Sequence, residues 1–275
     1  QIEVLRDGAA AQYGSDAIAG VLNFILKDSA EGGEVSAKWG STYEGDGDNY
    51  LFAANIGLPI TDAGFLNLSA EFGETDDTVR SVQRDDAAAL IAAGNTAVAD
   101  PAQIWGQPNI NDDLKLFANF GLDLTEDITL YAFGNYAERN VDGGFFFRNP
   151  TNRGGVYAGP LVDPITGAAS NAANAVPSVL VGDLSNTTAG DCPAGIPLTA
   201  GGGLLPDPTV LASVTADANC FSFVELFPGG FTPRFGGDIE DYSIATGIKG
   251  QVLGGLDFDL SYRHGRNKAT FAIRN

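Results

Sequence analysis

The chain contains no methionine, one histidine and two cysteines among its 275 residues. Basic residues are also scarce, with 15 lysines and arginines against 35 aspartates and glutamates, so the formal net charge is −20. This balance argues against a nucleic-acid partner, which needs a basic surface. No apolar run approaches the roughly 20 residues that a membrane-spanning helix requires. Because the chain starts at Gln1 and lacks methionine, we expect it to be a mature fragment or an excised piece of a longer product.

The shortage of histidine and cysteine also leaves few groups for catalysis or metal binding. His264 stands alone on the last predicted strand, and Ser15 lacks the second glycine of a nucleophile elbow. The turn at 44–49, EGDGDN, alternates aspartates but does not have the spacing or the terminal glutamate of a calcium loop. Neither a phosphate-binding glycine loop nor a Cys/His cluster occurs. The sequence therefore predicts no enzymatic activity, no cofactor and no metal site.

The two cysteines, Cys192 and Cys220, lie in the same irregular stretch. In the cytosol they would remain free thiols, whereas in an exported protein they would form one disulfide. On the chain-entropy model a disulfide that closes this loop would contribute about 3 to 4 kcal/mol. We favour the disulfide.

Seven segments alternate apolar and polar residues with a period of two, which is typical of β-strands that have one apolar and one polar face. In GFLNLSAEFGE, for example, Leu66, Leu68 and Phe72 alternate with Asn67 and Glu71. The fifth segment alternates less cleanly, and its faces are left unassigned. The segments are 33–43, 49–58, 64–74, 114–124, 128–139, 241–252 and 255–266.

Two architectures contain strands of this kind: a soluble β-sandwich and a transmembrane β-barrel. The second, fourth and sixth strands are followed by the short turns PITDAG, TED and LGG, whereas the third and fifth are followed by long stretches, roughly 74–111 and 140–238. Outer-membrane barrels have short turns at one end and long external loops at the other. The sequence therefore predicts an all-β fold: a partial antiparallel transmembrane barrel of about seven strands.

Aromatic residues near the predicted outer ends of the strands agree with a membrane barrel, which has an aromatic girdle at each interface. They are Trp39, Tyr43, Tyr50 and Phe72. The alternative is that these residues fill a core.

The long connections have patterns of their own. DDAAALIAAGN at 85–95 predicts a short helix, with Asp85 as its N-cap and Gly94 as its C-terminal stop. The stretch at 140–238 is rich in Gly, Pro, Asn and Ala, and a structureless loop of that length is usually functional or mobile.

The opening stretch at 2–27, IEVLRDGAAAQYGSDAIAGVLNFILK, joins two β-type runs through a connector of small residues. It resembles the end of the plug domain of TonB-dependent outer-membrane receptors, which commonly show V-E-V-L-R-G-P, then small residues and Y-G, then G-G-V-I-N. The plug signature here comprises Arg6, Gly8, Tyr13, Gly14, Gly20 and Asn23. The departures are Asp7-Gly8 in place of Gly-Pro, Ala19 in place of Gly and Leu22 in place of Ile.

The resemblance implies that residues 1–30 are the C-terminal part of a small α/β plug domain and that residues 31–275 are the N-terminal part of an outer-membrane barrel. It implies energy-coupled import of a scarce ligand: a siderophore, a vitamin, haem or an oligosaccharide. The implied partners are outer-membrane lipid, the TonB energy-coupling complex and the transported ligand, and the implied location is the Gram-negative outer membrane. A passive porin or surface adhesin is the alternative, followed by an outer-membrane enzyme and a soluble β-sandwich binding module.

The resemblance also implies that Arg6 meets acidic residues of the barrel wall, because an unpaired buried charge is costly. The candidates on the polar face of the predicted strands are Glu34, Glu71, Asp257 and Asp259. The alternative is that Arg6 caps its strand in solvent.

FFFRNP at 145–150 is the one apolar patch in a predicted loop. Its residues Phe145, Phe146, Phe147 and Arg148 would either contact the ligand or form the aromatic end of strand five at the membrane interface. We favour the interface.

Overall fold

The structure is a computed structural model that describes residues 2–5, 20–185, 190–252 and 254–274. The protein is mostly β structure, as its alternating segments predicted. The strands are β1 (Ile2–Leu5), β2 (Val21–Phe24), β3 (Gly33–Gly40), β4 (Asn49–Thr61), β5 (Gly64–Thr75), β6 (Asn109–Thr125), β7 (Ile128–Gly144), β8 (Ser178–Leu180), β9 (Gly182–Asp183), β10 (Gly195–Ala200), β11 (Leu205–Pro206), β12 (Cys220–Phe221), β13 (Arg234–Val252) and β14 (Leu256–Arg274). The helices are α1 (Asp85–Ala92), α2 (Pro208–Ala216) and α3 (Phe223–Leu226). Within the described ranges, no helix is long and apolar enough to span a bilayer.

The chain divides into two compact units. The first, called the sheet unit below, comprises residues 1–76, 109–141 and 237–271. The second, called the loop unit, comprises residues 77–108, 142–236 and 272–275. The predicted boundary between a plug and a barrel near residue 30 stays a prediction.

Seven strands form one sheet in the order β3-β4-β5-β6-β7-β13-β14, with β3 and β14 at its edges. Each of the seven predicted segments corresponds to one of these strands, so their prediction is confirmed. The connections after β4, β6 and β13 are short, and those after β5 and β7 are long, as predicted. The strands of the short β1–β2 pair are antiparallel. In the large sheet, β3 with β4, β4 with β5 and β5 with β6 are also antiparallel.

The apolar face of this sheet is the exposed one. In β4, Phe52 and Ile56 are 55% and 46% exposed, although in water such side chains pack inward. In β5, Asn67 on the opposite face is only 2% exposed. Because successive side chains of a strand point to opposite faces, one face of the sheet is apolar and open. The other face is polar and is covered around Asn67 and Asn119, whereas the polar side chains of the edge strands β3 and β14 are exposed.

The segment that follows β2 lies on the polar face. The Asn67 side chain donates from Nδ2 to the carbonyl oxygen of Ser29 at 3.2 Å, and Asn119 donates from Nδ2 to the carbonyl oxygen of Lys27 at 2.9 Å. Gly57 lies under the same segment, and its N–H donates to the carbonyl oxygen of Gly32 at 2.9 Å. These contacts fix the segment to β4, β5 and β6.

Substitution of Gly57 tests this contact. A Cβ atom at Gly57 would lie 2.3 Å from the carbonyl oxygen of Ser29, so Gly57→Ala must displace the segment. We expect a loss of stability of about 1 to 3 kcal/mol, which is typical of overpacking, measured by thermal unfolding of the protein. Gly154→Ala is the matched control, because nothing lies within 4 Å of a Cβ there. Equal stability of the two variants would contradict the position of the segment.

The structure assigns the faces of β7, which the sequence left open. Tyr131 donates from its hydroxyl to Oδ1 of Asp259 at 2.7 Å, and Asn135 donates from Nδ2 to Oδ1 of Asp241 at 2.8 Å. Arg139, on the same side of β7, lies 3.5 Å from Asp113 of the polar face. The odd-numbered residues of β7 therefore belong to the polar face.

The aromatic residues predicted to form a girdle are exposed, so they do not fill a core. Trp39 lies directly opposite Tyr50, and both side chains are exposed, as is Phe72 in β5. Tyr43 lies in the connection between β3 and β4 and is also exposed. All of them are at or near the strand ends from which the long connection after β5 departs.

The loop unit has a hydrophobic core of its own. The larger cluster contains the fully buried residues Tyr157, Val179, Ile196 and Val214. Burial raises the pKa of Tyr157 to about 12. The second cluster contains Ala87, Leu90, Val98, Ala102 and Phe147. The described residues of the stretch at 140–238 are thus folded rather than structureless, and among them are five short strands and two helices.

Helix α1 forms where the sequence predicted a helix, but its N-cap differs. The N-cap is Arg84 rather than Asp85, and no side chain caps the first turn. Asp85 and Asp86 lie inside that turn, where carboxylates interact favourably with the helix dipole. Gly94, just beyond the end of the helix, has a φ of 107° and confirms the predicted stop.

Candidate functional site

Two residues of the plug signature lie in the described part of the chain. Asn23 stands opposite Glu3 in the β1–β2 pair, and its Nδ2 donates to Oε2 of Glu3 at 3.1 Å. Gly20 precedes β2 with a φ of 135°, a backbone conformation that favours glycine. The other signature residues, Arg6, Gly8, Tyr13 and Gly14, lie outside the described residues.

The polar face of the sheet unit carries a network of charged and amide side chains. Lys115 lies 2.5 Å from Oε1 of Glu71 and 3.1 Å from Oδ2 of Asp113. Asp241 accepts hydrogen bonds from Asn135 and, at 3.2 Å, from Asn267. On this face, Lys115 is thus paired with two carboxylates, and Asp241 is bound by two amide side chains.

Three of the four acidic candidates for a contact with Arg6 already have a described partner. Glu34 pairs with Lys27, Glu71 pairs with Lys115, and Asp259 accepts from Tyr131. Asp257, on the same face of β14 as Asp259, forms no hydrogen bond or ion pair with any residue that the structure describes. Among the four candidates, Asp257 is thus the one without a described partner, and the contact of Arg6 with the wall stays a prediction.

The FFFRNP patch belongs to the loop unit and takes part in an aromatic–arginine cluster, defined as Trp105, Phe145, Phe146, Arg148 and Phe235. The rings of Trp105 and Phe146 meet edge to face with centroids 5.6 Å apart. Phe145 lies 5.2 Å from Phe146 and stacks on Phe235 at 5.3 Å. The guanidinium carbon of Arg148 lies 5.2 Å from the centre of the Phe145 ring, within cation–π range.

The remaining residue of the predicted patch, Phe147, has a different role. It is 6% exposed and packs in the second hydrophobic cluster of the loop unit. Its backbone N–H donates to Oε1 of Gln103 at 2.9 Å, and Gln103 is itself buried. Phe147 is therefore a core residue that anchors the segment, while its neighbours form the open part of the patch.

Contacts on both sides hold the backbone of Arg148. Its N–H donates to the carbonyl oxygen of Phe231 at 2.7 Å. Next along the chain, the buried Asn149 donates from Nδ2 to Oδ2 of Asp86 at 3.1 Å. Burial alone would raise the pKa of Asp86, but hydrogen bonds from Arg84 and Asn149 outweigh it and hold that pKa below its usual value.

The Arg148 guanidinium lacks an acidic partner among the described residues. Its Nη1 is buried and has no hydrogen-bond partner there. Burial lowers the pKa of Arg148, and the positive charge of Arg153 lowers it further. Arg153, which is exposed, likewise forms no side-chain hydrogen bond or ion pair with a described residue.

Two other arginines of the loop unit, Arg84 and Arg234, form ion pairs. Arg84 lies 2.9 Å from Oδ1 of Asp86, and Arg234 lies 2.7 Å from Oδ2 of Asp142 and 3.4 Å from Oδ2 of Asp77. Acidic side chains are abundant in this chain. The isolation of Arg148 from carboxylates is therefore a local property of its site.

Cys192 and Cys220 form a disulfide in the loop unit, with Cα atoms 5.6 Å apart and a sequence separation of 28. Cys220 and its strand β12 pair with β9, so the bond joins the 190–195 segment to this small sheet. Cys220 packs in the larger hydrophobic cluster. In sequence, the disulfide lies away from Phe145 and Arg148. It cross-links two other segments of the loop unit.

Sequence reasoning missed Trp105, Gln103, Arg153 and Phe235 as neighbours of the FFFRNP patch. Gln103 and Trp105 come from the connection after β5, and Phe235 lies at the start of β13, so no local spacing links them to the patch. Arg153 follows the patch in the same connection. The predicted absence of a metal site stays a prediction; within the described residues, no group of three or more His, Cys, Asp or Glu is placed to hold a metal ion. No protein-family model matches the chain, and no significant match to it was found among curated proteins.

Proposed function

We propose that the chain is part of a TonB-dependent outer-membrane receptor, a plugged β-barrel that imports a scarce ligand by energy coupling. The single observation that carries the proposal is the exposed apolar face of the seven-stranded sheet. Removing apolar side chains from water stabilises a fold by roughly 25 cal/mol for each Å² of apolar area. The exposed apolar side chains of strands such as β4 would forgo this stabilisation in water. In a membrane the same face contacts lipid, and no such loss arises.

The covered polar face supports a plugged barrel rather than an open channel. In a water-filled pore the inner face would be solvated. Here Asn67 and Asn119 bind the backbone of Lys27 and Ser29, which follow the opening motif directly. A chain segment that leaves a plug domain and enters the first strand of a barrel would lie in this position.

The loop unit supports a receptor with large external structures. It is inserted through the connections after β5 and β7, which leave from the same end of the sheet. A disulfide within it suits an oxidising location outside the cytoplasm. The proposed partners are accordingly outer-membrane lipid, the TonB energy-coupling complex and the imported ligand.

A passive porin or surface adhesin is the second candidate, because it would share the exposed apolar strands. The opening motif and the covered polar face favour the receptor over it.

Uptake measurements separate the two. Cells that carry the full-length protein, and cells deleted for it, would be tested with ferric siderophores, cyanocobalamin, haemin and oligosaccharides, with and without a protonophore. We expect protein-dependent uptake that collapses when the proton gradient is dissipated. Uptake that is unaffected by loss of the proton gradient would support the passive porin.

Arg6 and Asp257 provide a test of the plug–wall contact. We expect an ion pair between them to stabilise the closed state, because each would otherwise be a charge in an enclosed space without a partner. Arg6→Ala and Asp257→Asn should each increase the leak of small solutes into cells to a similar extent, and the double variant should add little. Glu34→Gln is the control, since Glu34 already pairs with Lys27. Unaltered plug retention and uptake in Arg6→Ala would refute this contact.

A further inference from the structure

We propose that the outward half of β14 binds the phosphate groups of an anionic lipid in the outer leaflet of the membrane. The site, called the basic stripe below, comprises His264, Arg266 and Lys268. The inference rests on the proposed function only for the contact of the apolar sheet face with lipid.

The basic stripe continues the apolar face of β14. Side chains two positions apart in a strand share a face, so the stripe follows Leu260 and Tyr262, which are both exposed. The ring of His264 lies 5.9 Å from the ring of Tyr242 in β13. All three residues of the stripe are exposed. They therefore lie on the surface that would meet lipid, at its end nearer the long connections.

Aromatic residues of the apolar face show where the membrane interface would lie. In three other strands such a residue is followed, towards the long connections, by an acidic one on the same face. The pairs are Phe72 and Glu74 in β5, Tyr136 and Glu138 in β7, and Tyr242 and Glu240 in β13. Aromatic belts of this kind lie at the level of the lipid headgroups. In β14, by contrast, Tyr262 is followed by the three residues of the basic stripe.

The cations of the stripe have no described protein partner. Arg266 and Lys268 form no ion pair and no side-chain hydrogen bond with any residue in the described ranges. Glu240, on the same face of the neighbouring β13, is not within ion-pair distance of either. An arginine can bind a phosphate with two parallel hydrogen bonds, and a lysine adds a second positive charge. Basic residues beside a membrane attract anionic lipids in this way.

The apolar face beside the stripe has room for acyl chains. A groove of about 1030 Å³ crosses this face from Val35 in β3 to Ile244 in β13. Alanines such as Ala70 and Ala118 line it, and their small side chains leave the groove open. Ile244 is two residues from Tyr242, which contacts His264. The groove alone would accept any apolar molecule, whereas the groove and the basic stripe together favour a lipid with an anionic headgroup.

Three probes separate these contributions: lipid A with its phosphates, dephosphorylated lipid A, and inorganic phosphate. Binding to the purified full-length protein in a non-ionic detergent would be measured by native mass spectrometry over a range of probe concentrations. We expect phosphorylated lipid A to bind at least about tenfold more tightly than either of the others, because two cations contribute to it. Equal binding of the two lipids would indicate an apolar groove alone and overturn the proposal. Equal binding of inorganic phosphate, or no binding of lipid, would also overturn it.

Variants then assign the interaction to the stripe. The double variant Arg266→Gln with Lys268→Gln should weaken the binding of phosphorylated lipid A by about tenfold or more and leave dephosphorylated lipid A unchanged. The matched control, Arg263→Gln with Lys38→Gln, removes the same charge from exposed residues of the polar face in the two edge strands. It should change neither. An equal loss in the control would show an effect of net charge and reject the site.

The unfolding temperature of each variant shows whether its fold is intact. If the double variant melts like the parent and binds phosphorylated lipid A equally well, the proposal fails. Lys268→Gln alone is the milder variant for a double variant that does not fold, and it should weaken binding by about fivefold.

The assay uses no proton gradient, so its result is independent of energy-coupled import. Gradient-insensitive uptake together with selective binding of phosphorylated lipid A would reject the receptor and keep the site. Gradient-dependent uptake together with equal binding of the two lipids would keep the receptor and reject the site.

Discussion

Replacement of Ile56 by arginine is expected to remove most of the folded protein from the outer membrane. Ile56 lies on the exposed apolar face near the middle of β4. If that face contacts lipid, a cation there costs about 2 to 4 kcal/mol at the bilayer midplane. In water the same substitution would be neutral or would improve solubility, because it breaks an apolar patch. A loss of folded protein would therefore indicate that lipid covers this face, whereas an unchanged or improved yield would indicate water.

The control places the same charge on the other face of the same strand. Ala53 lies opposite Ser36 on one side and Glu71 on the other, so an arginine there meets polar and acidic neighbours. The amounts of heat-modifiable protein in membrane fractions would be compared for the parent, Ile56→Arg and Ala53→Arg. We expect a severe loss for Ile56→Arg alone. Normal assembly of Ile56→Arg would contradict a lipid-facing sheet, and with it the proposed receptor.

Phe147→Ala is expected to destabilise the loop unit by about 3 to 5 kcal/mol, the usual cost of removing a buried phenylalanine. Phe147 fills the cluster of Ala87, Leu90 and Val98, and collapse of these small neighbours would not close the gap. Its loss should also free the Arg148 segment. We expect faster cleavage by protease within residues 77–108 and 142–236.

Phe146→Ala is the matched control for Phe147→Ala. Phe146 is adjacent in sequence but half exposed, so its replacement should change the free energy of unfolding by less than about 1 kcal/mol. If the two variants are cleaved at the same rate, the assignment of Phe147 to the core is wrong.

The seven long strands could be predicted because each alternates apolar and polar residues over about ten positions. Their ends could not. β13 begins at Arg234, whereas the alternation predicted a start at residue 241, and β6 begins at Asn109 rather than 114. Strand ends depend on backbone hydrogen bonds to the neighbouring strand, and these continue through polar stretches that carry no alternation. The N-cap of α1 was misplaced by one residue for a similar reason, since Arg84 is held by Asp86 and Gln103 rather than by a capping bond.

The candidate sites likewise have some features that the sequence predicted and others that it did not. The pairing of Cys192 with Cys220 needed only a count of cysteines and an exported context. The FFFRNP patch was visible as an apolar run, but the burial of Phe147 and the approach of Trp105 and Phe235 were not. These contacts join residues up to about a hundred positions apart, so no local pattern records them.

The sequence by itself determined the β architecture, the order of short and long connections, and the resemblance of the opening stretch to a plug domain. Alternation specifies which residues share a face, because the backbone of a strand turns successive side chains to opposite sides. It does not specify what covers each face. Only the tertiary structure decided that the polar face holds the segment at Lys27 and Ser29, that the apolar face stays open, and that the stretch at 140–238 folds around its own core. The physical reason is that burial depends on contacts between distant segments, whereas periodicity is a property of neighbouring residues.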